Sequence, residues 1–341
     1  MTEALVQEIK SETEFFKDGN VETLYFGGGT PSLLEIQNLK PLFQALESNF
    51  SFTGAPEITL EANPDDVSKI KVKEWMDLGV NRISLGVQSF FEEDLKWMNR
   101  SHNTAQAESA VKILQDKGIE NITLDLIYGY PLLTDEKWKS NLEKIQEFGI
   151  PHFSSYAMTV EDKTLMGKKV TKGEWPPMDE DQQANQFLFL RSWALEAGIP
   201  GYEISNYARP GMESKHNSAY WSGKKYLGIG PSAHSYDGEK RRYKRGNKVQ
   251  KIRQLEEGKI VREEEVLSSV QERKKKIMTG LRLSRGLDLG ALKLGEEMEN
   301  TLLKKAKKYL EGGKMENRDK RLILTPEGML LGDKISADLF F

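Results

Sequence analysis

The 341 residues carry 38% hydrophobic side chains, enough for one large α/β domain with a smaller attachment, and the 49 basic and 52 acidic residues leave a net charge of −3, which excludes a global field drawing the chain to nucleic acid or an anionic membrane. Cysteine is absent, which excludes disulfides, thiolate catalysis and cysteine-ligated zinc or iron–sulfur clusters built from these residues. No apolar run approaches the ~18 residues of a spanning helix, and the first twenty residues are acidic and amphipathic rather than signal-like, so the expectation is a cytoplasmic protein without a transmembrane segment.

The chain opens with an amphipathic helix over residues 2–16, where Ala4, Leu5, Ile9 and Phe15 or Phe16 fall at helical spacing. Residues 21–26 have the β-branched and aromatic content of a buried strand, followed by Gly27, Gly28 and Gly29. Bare backbone at a strand tip lets a ligand approach closely, although a tight strand-to-helix turn alone could demand the same glycines. Ser32 and Glu35 have the spacing of a capping box for the next helix, which Leu39, Leu42, Phe43 and Leu46 mark.

A second strand over 58–62 ends in Glu61, Asn63 and Pro64, where Asn63 has the chemistry of a cap. The third, 82–87, ends in Gln88, with Ser89 and Glu92 as a second capping-box pair. A helix over 104–117 leads to a strand over 122–128 containing Asp125; Trp138, Leu142, Ile145 and Phe148 mark another helix, and a strand follows at 153–158. Strands alternating with helices predict a parallel sheet curling toward a barrel, with functional groups at the strands' C-terminal ends. Gly27 to Thr30, Glu61, Gln88 and Asp125 gather on that rim. Each has a plainer role available: Glu61 and Asp125 as buried partners of Arg82 or Arg100, Gln88 as a turn cap.

Beyond Met158 a loop holds Trp175, Pro176 and Pro177, before an apolar helix over 183–197 and a strand over 201–205. The block His216-Asn217-Ser218-Ala219-Tyr220-Trp221 and the run from Tyr226 to Ser235 contain two of the four histidines, His216 and His234. A histidine among aromatics suits an axial ligand above a porphyrin face and equally a hydrogen-bonded aromatic core. His102 and His152 are assigned structural or exposed positions. The basic run 240–248, with Arg241, Arg242, Lys244 and Arg245, reads as a solvated hairpin tip or a docking point for carboxylates or an acidic partner. From residue 263 a helix, short helices over 289–294 and 300–310, a strand over 321–324 and a final helix predict a small, mostly helical, winged-helix-like domain. Lys304, Lys305, Lys307 and Lys308 lack accompanying aromatics or a recognition helix, so no nucleic acid is expected. The division is thus 1–235, a linker or basic hairpin over 236–262, and 263–341.

Six blocks in order, Gly-Gly-Gly-Thr-Pro-Ser at 27–32, Glu-Ala-Asn-Pro at 61–64, Leu-Gly-Val-Gln-Ser-Phe at 85–90, Asp-Leu-Ile-Tyr-Gly at 125–129, the His216 block, and Gly-Ile-Gly-Pro at 228–231 through His234, resemble the HemW-type haem chaperones. These are radical S-adenosylmethionine proteins related to oxygen-independent coproporphyrinogen III oxidase. The resemblance runs from the first helix to the last residue, and the His216 block looks like the chaperone branch. It implies a partial (β/α) barrel and a haem chaperone handing haem to an acceptor protein it does not identify; the alternative is an oxidase-like radical enzyme of porphyrin synthesis. A homodimer is a further partner it allows.

By the same resemblance, Gly28, Gly29 and Thr30 would meet the methionine part of adenosylmethionine, Glu61, Gln88, Arg100 and Asp125 would surround the sulfonium ligand, and backbone near Ala157 would meet the adenine. His216 is the implied haem-iron ligand, with Asn217, Tyr220 and Trp221 around it. The family's first strand and its Cys-x-x-x-Cys-x-x-Cys loop, which holds a [4Fe–4S] cluster, have no counterpart in these residues. The expectation is therefore an incomplete barrel with strand 21–26 exposed at one edge, a site that cannot hold the cluster in the family's way, and weak adenosylmethionine binding.

Overall fold

A computed structural model describes residues 1–16, 20–161, 163–243 and 263–341. Helix α1 (Thr2–Ser11) leads into β1 (Val21–Phe26), and the chain then alternates through α2 (Ile36–Asn49), β2 (Phe52–Ala62), α3 (Lys69–Asp77), β3 (Arg82–Gln88), α4 (Glu92–Trp97), α5 (Thr104–Asp116), β4 (Asn121–Tyr128), α6 (Asp135–Glu147) and β5 (His152–Ala157). These five strands are parallel neighbours in order β1-β2-β3-β4-β5. Helices α7 (Leu165–Thr171) and α8 (Glu180–Glu196) precede β6 (Asn206–Ala208), which closes the sheet antiparallel to β5. The strand expected over 201–205 lies a few residues later and runs the other way, its predicted span contributing only isolated bridges such as Gly201 to Tyr207.

The sheet is a curled half-barrel with two chemically opposite faces. Alternate residues Leu60, Ile83, Leu85, Leu124, Leu126 and Phe153 point outward and are fully buried under Phe43, Trp75, Val111, Leu114, Trp138 and Leu190 of the surrounding helices. Each such side chain contributes ~1.5–3 kcal/mol on leaving water. Their neighbours in sequence, Thr59, Glu61, Arg82, Ser84, Thr123, Asp125, His152 and Ser154, line the lumen. Among the described residues strand β1 forms the sheet's edge and pairs with β2, the edge position expected, but it is partly covered rather than exposed: α9 (Lys215–Trp221) lies against it, with Lys224 ion-paired to Glu22 at 2.6 Å. Helix α1 packs separately on α2 through Ile9, Leu42, Ala45 and Phe50.

Strands β7 (His234–Tyr236), β8 (Lys240–Tyr243) and β9 (Glu263–Val266) make a second sheet. Of the basic run, Arg242 pairs with Glu264 at 3.0 Å, so this part is a salt-bridged strand; Lys244, Arg245 and Lys248 lie outside the described residues. The last segment comprises α10 (Ser269–Arg282), β10 (Leu287–Asp288), α11 (Glu296–Glu311), β11 (Met315–Arg318), β12 (Arg321–Leu324), α12 (Pro326–Met329) and α13 (Gly332–Asp338). It is helical around a three-stranded antiparallel sheet in order β10-β12-β11; the helix expected over 289–294 is a single 3-10 turn, and β11 is a strand the sequence pattern missed.

Both expected capping boxes are absent. Helix α2 starts at Ile36 without a side-chain cap, because the Ser32 hydroxyl donates instead to Asp66 Oδ2 at 2.6 Å. Likewise α4 starts after Phe91, and Ser89 donates to Asp94 at 2.9 Å. Asn63 precedes its 3-10 turn without a side-chain bond.

Candidate functional site

The lumen opens as a cavity of about 460 Å³, within the range that holds one small ligand. At its rim β1 ends in the glycine turn. Gly28 and Gly29 have φ of 80° and 71°, and a side chain at either would meet open space, so their backbone is bare toward the rim. Gly27 is needed for another reason: a Cβ there would sit 2.7 Å from Glu61 Oε1. Glu61 is already engaged, accepting from Gly28 N at 2.9 Å and from the Tyr25 hydroxyl at 2.8 Å. It therefore shapes the turn rather than pairing with Arg82 or Arg100.

Asp125 accepts from Ser84 Oγ at 3.2 Å, and burial is the main cause that pushes its carboxyl up to about 6. Gln88, buried at the end of β3, has φ of 69°, a left-handed conformation uncommon outside glycine, and so turns its side chain at a strained position. Arg100 stays outside the cavity wall, with Asp125's charge within electrostatic reach. Ala157 ends β5 and is not in the wall either.

Helix α9 brings the second group of residues to the same cavity. Glu57 of β2, 5% exposed, accepts from His216 N at 2.9 Å, Lys215 N at 3.0 Å and Ser214 Oγ at 3.3 Å. A carboxylate at a helix's first amides is favourable, and this one pins α9 to the sheet. The His216 ring stacks on Tyr25 with centroids 4.9 Å apart, meets Tyr220 edge-on at 5.1 Å, and shares a 2.8 Å hydrogen bond between Nδ1 and Thr23 Oγ1. Burial, aided by Arg82 and opposed by Glu57, lowers its pKa, so the ring is neutral at pH 7.

Gly29, Thr30, Glu61, Gln88, Asp125, His216, Asn217 and Tyr220 thus line one cavity, where the sequence suggested two sites. Gly28 borders it through Glu61. Trp221 stands outside the wall with a buried, unpartnered Nε1, and Asn217 Nδ2 donates to Tyr202 at 3.0 Å. His102 and His152 are both buried and hydrogen-bonded: His102 Nε2 lies 3.0 Å from Val87 O, outside the cavity wall, whereas His152 bridges Thr123 and Tyr202 within it. Sequence reasoning missed Tyr25, Glu57, Ser84, Ser154, Tyr156 and Asn206, although polar residues at alternate positions, Glu57, Thr59 and Glu61 in β2, Arg82 and Ser84 in β3, Thr123 and Asp125 in β4, His152 and Ser154 in β5, were a readable signal of a polar lumen.

The residues present fit a small polar ligand at the rim and an imidazole-ligated metal at His216, whose Nδ1 is held by Thr23. They do not fit an iron–sulfur cluster: the chain has no thiolate, and among the described residues no group of three histidines or carboxylates could hold a metal. No helix among them is long and apolar enough to cross a membrane.

Residues 2–145 match the family model described as the Radical SAM superfamily, and 267–331 that of the HemN C-terminal domain. The haem chaperone HemW of Bacillus subtilis is 32% identical over 336 residues, covering 97% of this chain and 89% of that protein. HemW of Lactococcus lactis is 38% identical over 234 residues, 69% of this chain and 62% of that one. Escherichia coli coproporphyrinogen III oxidase superposes with a TM-score of 0.82 at 22% identity, covering 99% of this chain and 82% of that one, a likeness of fold. The chain belongs to the HemW-type family of radical SAM proteins.

Proposed function

We propose that this protein is a haem chaperone that binds haem through His216 and passes it to an acceptor protein. The observation that carries the reading is the setting of His216 in the lumen wall. A neutral imidazole, with Nδ1 fixed by Thr23 and one face stacked on Tyr25, has Nε2 available as a ligand for iron when Nδ1 donates to the threonine. Tyr220, 44% exposed, supplies flat apolar area at the mouth. The names of the HemW relatives support the choice of haem.

Adenosylmethionine is the second proposed ligand, with Gly28, Gly29 and Thr30 on its methionine part and Glu61, Gln88, Arg100 and Asp125 around it; when bound, it would supply the reactive sulfonium. Asp125, with its raised pKa, can hold or release a proton near neutrality, while the Gln88 carboxamide can accept from amino groups and donate to carboxylate and hydroxyl groups. Ala157 would meet the adenine through its backbone.

The test is a haem titration of the protein and its His216→Ala variant followed at the Soret band. Saturable binding in the first and its loss in the second is the expected outcome. Unchanged binding in the variant overturns the assignment.

A further inference from the structure

At the floor of the lumen, opposite the rim, Arg82 begins β3. Its side chain is 3% exposed and belongs to the cavity wall. The guanidinium donates only to neutral oxygens, to Asn121 Oδ1 at 2.5 Å and to Thr123 Oγ1, and Nε has no partner. The described residues offer it no ion pair within 4.0 Å. The carboxylates whose charges reach it, Glu57 and Asp125, are committed elsewhere: Glu57 to the start of α9 and Asp125 to Ser84.

Thr59, the register partner of Arg82 on β2, adds a fully buried hydroxyl that also has no partner and also belongs to the wall. A desolvated, unpaired guanidinium is costly to keep, and buried donors of this kind are ordinarily satisfied. Its planar fork matches a carboxylate or a phosphate bidentately, and of these a tetrapyrrole carries the carboxylate. Arg82 and His216 line the same cavity, so one ligand can engage both.

We infer that the floor of the lumen is a carboxylate site in which Arg82, assisted by Thr59, grips a propionate of the tetrapyrrole whose iron meets His216. The inference rests on the haem reading above and specifies which end of the ligand enters the barrel. His216 selects the metal, and Arg82 selects the acid side chain.

The experiment compares haem and metal-free protoporphyrin IX with their dimethyl esters, on the unaltered protein, Arg82→Gln, Arg82→Lys and His216→Ala, each checked for its fold by circular dichroism. For the unaltered protein, esterification should weaken binding of both tetrapyrroles about tenfold or more, the loss expected for one charge-assisted pair. Arg82→Gln should bind the acids that much more weakly and show no preference between acid and ester; Arg82→Lys should keep part of the preference. His216→Ala should lose haem affinity yet retain the acid preference for protoporphyrin.

If the unaltered protein binds diester and diacid equally, the Arg82 assignment falls, whether or not the variants fold. If Arg82→Gln folds and keeps the full preference, it falls as well. If only the His216→Ala result fails, the iron ligand is wrong and the carboxylate site stands; if neither tetrapyrrole binds, both readings fall.

Discussion

The two faces of the six-stranded sheet differ more than any two domains of the molecule. The outer face, with Leu60, Ile83, Leu85, Leu124 and Phe153, is a packed apolar layer in which stability resides. The inner face, one residue away along each strand, carries Glu61, Arg82, Ser84, Asp125 and Ser154 around a cavity. A strand's period of two allows a single segment to serve both, and it means that stability and binding can be perturbed separately at adjacent positions.

The sharpest break is on the outer face. Leu124→Ala should destabilise the fold by ~2–5 kcal/mol, through lost burial and a cavity beneath α5 and α6, read as a lowered urea midpoint at unchanged slope. Its neighbour Thr123 points inward, and Thr123→Ser should cost far less.

Glu57→Gln probes an inner carboxylate with a structural task, the clasp on α9. Replacing it leaves an amide facing three donors from Ser214, Lys215 and His216, and the expected cost is ~1–3 kcal/mol in urea denaturation, accompanied by weaker haem binding. Stability lost without any change in haem affinity would separate α9 from the site.

Asp125 sharpens the comparison through pH. Its folded pKa of about 6 lies above the ordinary 3.8, so the folded state takes up a proton before the unfolded state does. The sign follows: this group's favourable contribution is fully present below pH 3.8 and is lost as pH rises through 6. Asp125→Asn should therefore gain on the unaltered protein by roughly 1–3 kcal/mol between pH 4 and 7, measured as the pH dependence of the difference in urea midpoints. A difference flat with pH would mean the carboxyl is better solvated than its position implies.

The smallest effect belongs to the exposed pair at the sheet's edge. Lys224→Ala should change stability by less than ~1 kcal/mol and do so only at low salt, since solvent screens the bridge to Glu22.

The alternation of strands with helices was legible in the sequence, and with it the parallel order of β1 to β5; of the residues named for the rim, Gly29, Thr30, Glu61, Gln88 and Asp125 line the cavity and Arg100 and Ala157 do not. Local readings failed where a side chain chose a distant partner over a nearby one. Ser32 had the spacing of a cap, yet Asp66, on another element, offered its hydroxyl a charged acceptor that no local pattern reveals; Ser89 failed for a nearer reason, its hydroxyl taken by Asp94 inside the helix it was to cap. Glu57 was invisible for the same reason as the Asp66 bond, because its donors lie more than 150 residues later. The merging of the rim residues with His216 into one cavity followed from α9 lying against β1, a tertiary contact that periodicity does not encode.

The Glu57 clasp has a further consequence for how this architecture can be altered. Helix α9 spans seven residues, too short to persist on its own, and its first amides are held by a strand laid down far earlier in the chain. The histidine block is consequently not a portable motif: moved to another scaffold as a peptide it would lose the carboxylate that orients it. Engineering of this family should treat Glu57, Thr23 and Tyr25 as one inherited unit with His216, to be exchanged together or left in place.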